Sequence, residues 1–169
     1  MEILSKSVLA LHIVAGFLAL TLFWLQARAR KGDANHRRLG NAYVKLMWVV
    51  VISAVALCIN NYINGRNVIA TFLVFIALIT AKPLWLGVAV LKAKKEKPQP
   101  GGGLSLRSYR RADLGFNLAI VACGIAMIVY GIYLGGKGMA VLLMIFGGIG
   151  LMNGFDLRSS ILELSLIHI

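Results

Sequence analysis

Acidic residues are scarce in this sequence, which has 6 Asp and Glu against 18 Lys and Arg in 169 residues. Charged residues of both signs make up only 14% of the chain, whereas about a quarter is usual in soluble domains. Apolar residues make up 59%. So few charges exclude an ordinary water-soluble globular domain, because this apolar surplus needs a lipid solvent.

Sequence motifs of soluble enzymes and of metal sites are also missing. The two cysteines, Cys58 and Cys123, lie inside apolar runs without CxxC spacing or a neighbouring histidine, which disfavours metal ligation. No HExxH, P-loop, GxSxG or strand-linked GxGxxG motif is present. No metal ligands are therefore predicted, catalytic residues stay unassigned, and enzymatic activity is left open.

Long apolar runs fill most of the chain, with polar, basic or glycine-rich breaks between them. Their lengths predict an all-α polytopic membrane helix bundle of about five transmembrane helices. The predicted helices cover residues 7–27, 40–60, 68–91, 113–134 and 139–155, the last being short and rich in glycine.

Two basic segments and one proline interrupt this pattern. Residues 28–38 are expected to form a turn, and residues 92–111, with two prolines and three consecutive glycines, a flexible loop. Lys82 and Pro83 are expected to interrupt and kink the third helix, because proline removes a backbone hydrogen bond.

The basic residues fall mainly on one side of this arrangement. Thirteen Lys and Arg lie on the side of residues 28–38 and 92–111, and three, Lys6, Arg66 and Lys137, lie on the other. Lys45 and Lys82 are close enough to the basic side to snorkel toward it. The positive-inside rule then places the N-terminus outside. The net charge of +12 thus indicates a lipid bilayer as partner, with no nucleic acid. A homo-oligomer or another membrane-protein partner is left open.

Two histidines are the candidate cofactor-binding residues. His12 lies in the first predicted helix among apolar neighbours, and His36 lies in the first basic segment. Each has an ordinary alternative: His12 as a hydrogen-bonding partner of another helix, His36 as a solvated or headgroup-facing side chain. About 15 helical residues separate them by on the order of 20 Å, so they cannot ligate one haem together. If haem binds, each histidine needs another partner.

Polar residues that we predict to be cytoplasmic form a second candidate site. Asp113 and Asn117 share one helix face, and Asn153 and Asp156 share another. This cluster either ties basic loops to helix ends or forms a pocket for an anionic ligand or a proton path. Its predicted members are His36, Arg37, Arg38, Arg110, Arg111, Asp113, Asn117, Asn153, Asp156 and Arg158.

Glycine pairs spaced as GxxxG favour close helix packing in lipid. Gly131 with Gly135, and Gly150 with Gly154, have this spacing. We expect them to be packing residues without a further role.

The segment 11–43 contains LHIVAGFLAL, then Lys31 and Gly32, then HRRLGNAY. It resembles an uncharacterised bacterial family of predicted membrane proteins, the domain of unknown function 2306. The resemblance rests on His12, Gly16, His36, Arg37, Gly40 and Tyr43, and on DLRSS at 156–160. It implies a multi-pass protein of the bacterial inner membrane and implies no reaction.

The resemblance also leads us to expect a further helix after DLRSS. The last six residues, LSLIHI at 164–169, look like the translation of a transposase adapter used in sequencing libraries. We therefore expect a single transmembrane domain over residues 1–163, truncated at its C-terminus, with a non-native tail in which His168 has no role.

Three functions remain open from the sequence. The first is a membrane protein of unknown activity, such as an accessory or sensing component. The second is a b-type haem redox protein that uses His12. The third is a small transporter that uses the Lys82–Pro83 break and the polar cluster.

Overall fold

The computed structural model describes residues 2–30, 33–95, 103–135 and 138–152, and every regular element in these ranges is an α-helix. The helices are α1 (Glu2–Arg28), α2 (Ala34–Ile63), α3 (Asn67–Lys95), α4 (Gly103–Tyr133) and α5 (Met139–Met152). The predicted all-α fold of five helices is confirmed. Two compact units, Met1–Ala77 and Leu78–Ile169, meet within α3.

Four of the helices are long and apolar enough to cross a membrane. The candidate spans are Ser5–Arg28, Ala34–Ile63, Asn67–Ala89 and Arg111–Tyr133, with 24, 30, 23 and 23 residues. At about 1.5 Å per residue, each exceeds the roughly 30 Å of a hydrocarbon core. The apolar helix α5 has 14 residues and is shorter than a full span.

Large apolar side chains cover the outer surface of the helices. Phe17 is 72% exposed, and Trp24, Ile52, Val129 and Ile132 are also exposed. A soluble monomer rarely presents apolar surface on this scale, because water penalises it. In a bilayer the same surface contacts acyl chains, so the exposed residues agree with the spans.

Helix α2 begins six residues before the predicted position at residue 40, and the expected turn at 28–38 is correspondingly shorter. Asp33 caps the helix, since its side-chain oxygen accepts a hydrogen bond from the Ala34 amide at 2.7 Å. His36, Arg37 and Arg38 therefore lie on the first turns of α2. Only a short connection after Arg28 remains outside helix.

The expected flexible loop at 92–111 is wrong at both of its ends. Helix α3 continues to Lys95 and α4 starts at Gly103, so only residues 96–102 lie outside the described helices. Residues 104–111 contain neither proline nor glycine. Adding turns to a helix that already exists in the membrane costs far less than starting one.

Helix α3 continues through Pro83 as one helix, and the expected interruption there is also wrong. Proline disrupts the backbone ladder at one position only, because it lacks the N–H that would bond to the carbonyl four residues earlier. That carbonyl belongs to Ile79.

In the first unit, α1 packs against α2 through small residues. Ala15 and Ala19, one turn apart on α1, are 3% and 1% exposed. On α2 the buried residues are Val51, Ser53, Ala54 and Leu57. Alanine lets two helix backbones approach closely, which is how membrane helices associate without a hydrophobic driving force.

In the second unit, α4 packs against α5 along a seam of small residues. A Cβ on Gly124 would lie 2.8 Å from the Gly147 carbonyl oxygen, and one on Gly147 would lie 2.7 Å from that of Gly124. A Cβ on Gly131 would lie 2.9 Å from the Ala140 carbonyl oxygen. Both helices repeat their small residues at intervals of seven, the spacing of left-handed helix pairs.

This seam differs from the predicted GxxxG pairs. Gly131 packs as expected, but Gly135 has a φ of +79° and forms the turn that ends α4. Its amide bonds to the Ile132 carbonyl at 2.9 Å. The left-handed conformation favours glycine, so Gly135 is a turn residue. Gly154 lies outside the described residues.

Candidate functional site

Three polar side chains meet between α3 and α4 in the second unit. The Lys82 ammonium donates a hydrogen bond to Asn117 Oδ1 at 2.5 Å and lies 3.8 Å from Asp113 Oδ1. The Asn117 amide nitrogen donates to Asp113 Oδ2 at 3.3 Å. We call these three residues the Lys82 cluster.

All members of the Lys82 cluster lie within candidate membrane spans. Lys82 is in Asn67–Ala89, and the other two are in Arg111–Tyr133. Asn117 is fully buried, and the side chains of Lys82 and Asp113 are 14% and 24% exposed. A buried amide requires hydrogen-bond partners, and charges in hydrocarbon require an opposite charge. The cluster meets both requirements.

A cavity of about 200 Å³ opens beside the cluster. Its lining consists of Ile79, Lys82, Pro83, Leu86 and Ile120. Lys82 supplies the charge, and the other four side chains are apolar. Pro83 also leaves the Ile79 carbonyl without its helical donor. The cavity therefore combines an apolar wall with a cation.

His12 is held by the second helix of the first unit. Its Nδ1 lies 2.9 Å from Ser53 Oγ, and the Ser53 hydroxyl donates to the Val50 carbonyl at 2.9 Å. Because that hydroxyl proton already bonds to Val50, the serine oxygen is the acceptor of a hydrogen bond from Nδ1–H. In the neutral imidazole, Nε2 then carries the lone pair that a metal or haem iron would use.

His36 is held in the same way at the opposite end of the α1–α2 pair. Its Nδ1 lies 3.2 Å from the Gln26 carbonyl oxygen, which can only accept a hydrogen bond. Fourteen residues of α1 separate His12 from Gln26, or about 21 Å along the helix axis. The two histidines thus occupy separate sites, and no single group binds both in one copy of the chain.

The predicted cytoplasmic cluster has members in both units. Arg37 and Arg38 are exposed on α2 in the first unit, whereas Asp113 and Asn117 contact each other in the second unit. Asn153 and Asp156 lie outside the described residues. A role in ligand binding stays a prediction for this set.

Lys82 is a member of the polar site that the predicted cluster did not include. From the sequence it was expected to snorkel toward the basic side, yet it bonds to Asn117 and pairs with Asp113. A lone lysine in an apolar run directly before a proline was the available signal. What the sequence could not supply was the rotation of α3 that turns Lys82 toward α4.

Within the described ranges, no group of three His, Cys, Asp or Glu side chains is arranged to hold a metal ion.

The match to a known family covers residues 9–151 and thus includes both histidines and the whole Lys82 cluster. That family is described as "Predicted membrane protein (DUF2306)". The chain belongs to this family. Comparisons with curated proteins and with solved structures gave no match. Family membership and the four apolar spans together establish a membrane protein that contacts lipid.

Proposed function

We propose that this protein is a multi-pass carrier of the bacterial inner membrane that binds a small organic anion at Lys82. The supporting observation is the Lys82 cluster beside an apolar cavity within the membrane spans. A charged residue inside a membrane helix has an insertion cost that reaches about 2.5–3.5 kcal/mol at the helix centre and is smaller toward the ends. Replacing a buried ion pair with apolar residues is often neutral or stabilising. A gain in folding stability therefore does not explain why Lys82 and Asp113 form a pair inside the spans. This favours a role of the pair in binding.

The lining of the cavity indicates the class of solute. Lys82 is its charged residue, and its other walls are apolar, which suits a monoanion with a compact apolar body. The volume of about 200 Å³ is below the roughly 300–1,000 Å³ of pockets for drug-sized ligands, so the solute is small. Asp113 competes with such an anion for Lys82.

Efflux from proteoliposomes tests this proposal. Benzenesulfonate is a suitable probe because it stays ionised and does not cross bilayers as a neutral acid, and trimethylphenylammonium is its cationic counterpart. We expect protein-dependent efflux of the anion, at least about tenfold lower in K82M, which corresponds to about 1.4 kcal/mol. K45M is the matched control, since Lys45 is an exposed lysine within α2. Equal efflux from K82M and the native chain, or equal efflux of the cation, would overturn the proposal.

The D113N variant separates a binding role from a structural one. Removing the carboxylate takes away the Asp113 anion that competes for Lys82, so the half-saturating benzenesulfonate concentration should fall. A purely structural pair predicts only loss of folded protein. An unchanged or raised half-saturating concentration in folded D113N would argue against anion binding at Lys82.

A second candidate function is haem-dependent electron transfer through His12. The supporting observation is the hydrogen bond from Nδ1 to Ser53, which directs the Nε2 lone pair away from that contact. The second axial ligand would have to come from another copy or another protein. Visible absorption of the purified protein tests this function, because bound haem gives a Soret band that H12A should abolish. A colourless preparation purified from haem-supplemented cells would exclude it.

A further inference from the structure

The connection between α1 and α2 carries a dense group of exposed arginines. We call Arg28, Arg30, Arg37 and Arg38 the arginine patch; all four are exposed. None of their side chains has a hydrogen-bond or ion-pair partner in the described part of the chain. The one acid nearby, Asp33, uses its side-chain oxygen to cap α2 at Ala34. Four guanidiniums within eleven residues therefore have one carboxylate near them, that of Asp33, and none of them is paired with it.

The backbone that supports the patch is fixed on both sides. His36 donates from Nδ1 to the Gln26 carbonyl, which joins the start of α2 to the end of α1. The Gln26 side chain lies against Gly40, where a Cβ would come within 2.8 Å of its Nε2 atom. Phe23 and Tyr43 also contact each other, with ring centroids 6.2 Å apart. Because the two helix ends are tied, little backbone entropy is lost when the patch binds a ligand.

The position of the patch identifies the anion. Arg28 ends the span Ser5–Arg28, and Arg37 and Arg38 lie near the start of the span Ala34–Ile63. Both ends meet the bilayer at the depth of its headgroups, where the abundant anions are lipid phosphates. Guanidinium groups bind phosphate through paired N–H donors. The unpaired amides at the start of α2 add to the attraction.

We infer that the arginine patch is a binding site for the headgroup of an anionic phospholipid. The site shares no residue with the Lys82 cluster, because all of its residues lie in the first unit. His36 is a positioning residue, which acts by holding the two helix ends together through its hydrogen bond to Gln26.

Quenching by brominated lipids tests the site in the full chain. In a W48F/W85F background, Trp24, which is exposed one turn before Arg28, is the remaining tryptophan. The protein is reconstituted in mixtures of phosphatidylcholine and phosphatidylglycerol, one of which is brominated. Quenching of Trp24 is measured once with brominated phosphatidylcholine and once with brominated phosphatidylglycerol. The two values together give the affinity for phosphatidylglycerol relative to phosphatidylcholine. Each basic residue at an anionic surface contributes about fivefold in affinity, so we expect the native chain to prefer phosphatidylglycerol at least about tenfold.

Variants of the patch should remove this preference. In R28Q/R30Q/R37Q/R38Q the two lipids should quench Trp24 to the same extent, whereas R66Q, at the other end of α2, should retain the native preference. H36A should lower the preference and H36N should restore much of it, because the asparagine amide offers a donor near the position of Nδ1. An unchanged preference in the quadruple variant, or an equal loss in R66Q, would overturn the assignment.

Two further outcomes identify the source of the phosphate. Inorganic phosphate at 1,000-fold excess over the protein should leave the lipid preference intact if the site takes a lipid headgroup; displacement by phosphate would overturn the lipid assignment in favour of a soluble phosphate. Binding of a short RNA by detergent-purified protein with higher affinity than phosphatidylglycerol would likewise reject it.

Discussion

His12 Nδ1 on α1 lies within hydrogen-bond distance of Ser53 Oγ on α2, and the Ser53 hydroxyl donates a hydrogen bond to the Val50 carbonyl of its own helix. The contact between His12 and Ser53 connects the two helices inside their candidate spans. On α1 it lies about one turn before the buried Ala15. It also fixes which imidazole nitrogen carries the proton.

Replacing Ser53 tests how much this bond contributes. We expect S53A to lower the free energy of unfolding by about 0.6–1.7 kcal/mol, the range measured for hydrogen bonds between membrane helices. S53T keeps the hydroxyl and should cost less. Thermal denaturation in detergent measures both. T21A is the control, because the Thr21 hydroxyl bonds only to the Phe17 carbonyl of its own helix. Equal losses in S53A and T21A would show that the His12 bond contributes no measurable stability.

Adjacent glycines on α5 test the seam with α4. A Cβ at position 147 meets Gly124 O at 2.7 Å and Ile128 Cγ1 at 2.6 Å, whereas one at 148 meets nothing within 4 Å. We expect G147A to destabilise the protein by about 1–3 kcal/mol through overpacking. G148A should be neutral or stabilising by up to about 1 kcal/mol, because alanine favours helix over glycine. Denaturant unfolding in mixed micelles compares them, and a larger loss in G148A would contradict the seam.

The pairing of Lys82 with Asp113 predicts strong coupling between two substitutions. K82M removes the cation beside the Asp113 carboxylate, and D113L removes the anion beside the Lys82 ammonium, so each single variant should be less stable than K82M/D113L. We expect a coupling energy of about 1–2 kcal/mol in a double-mutant cycle measured by thermal unfolding. The same cycle with K45M in place of K82M should give a coupling near zero. If the losses in unfolding free energy of the two single variants simply add in the double variant, the 3.8 Å contact contributes no measurable stability.

The charge distribution predicts that the turn after α2 faces outward. In a C58A/C123A background, N64C should react with a membrane-impermeant maleimide on intact bacteria whose outer membrane is permeabilised. A34C, at the start of α2, should react only after the inner membrane is opened. Both positions are exposed. The reverse pattern of labelling would place the N-terminus in the cytoplasm.

The number and type of the helices follow from the sequence because apolar runs of membrane length have few other solutions. The residues at which the helices begin and end do not follow from the apolar runs, because they depend on local contacts such as helix caps. The cap at Asp33 extends α2 beyond the apolar run, and α4 extends into residues 103–110, which carry arginine. Patterns of hydrophobicity contain no signal for either extension.

The candidate site was predictable only in part. The i to i+4 spacing of Asp113 and Asn117 indicated a shared helix face, and they are hydrogen-bonded. Their contact with Lys82 joins residues 35 positions apart and depends on how α3 is rotated against α4. Likewise, the partner of His12 is 41 residues away. A single sequence holds no periodicity that specifies such pairs.

The seam of small residues between α4 and α5 also limits how the second unit can move. With backbones this close, the helices can change register only in steps of seven residues, or about 10.5 Å, so they shift as one rigid body. In a carrier of the kind proposed, the alternating motion then has to run along the boundary of α3 with α4. The ion pair of Lys82 and Asp113 lies on that boundary and would act as its latch.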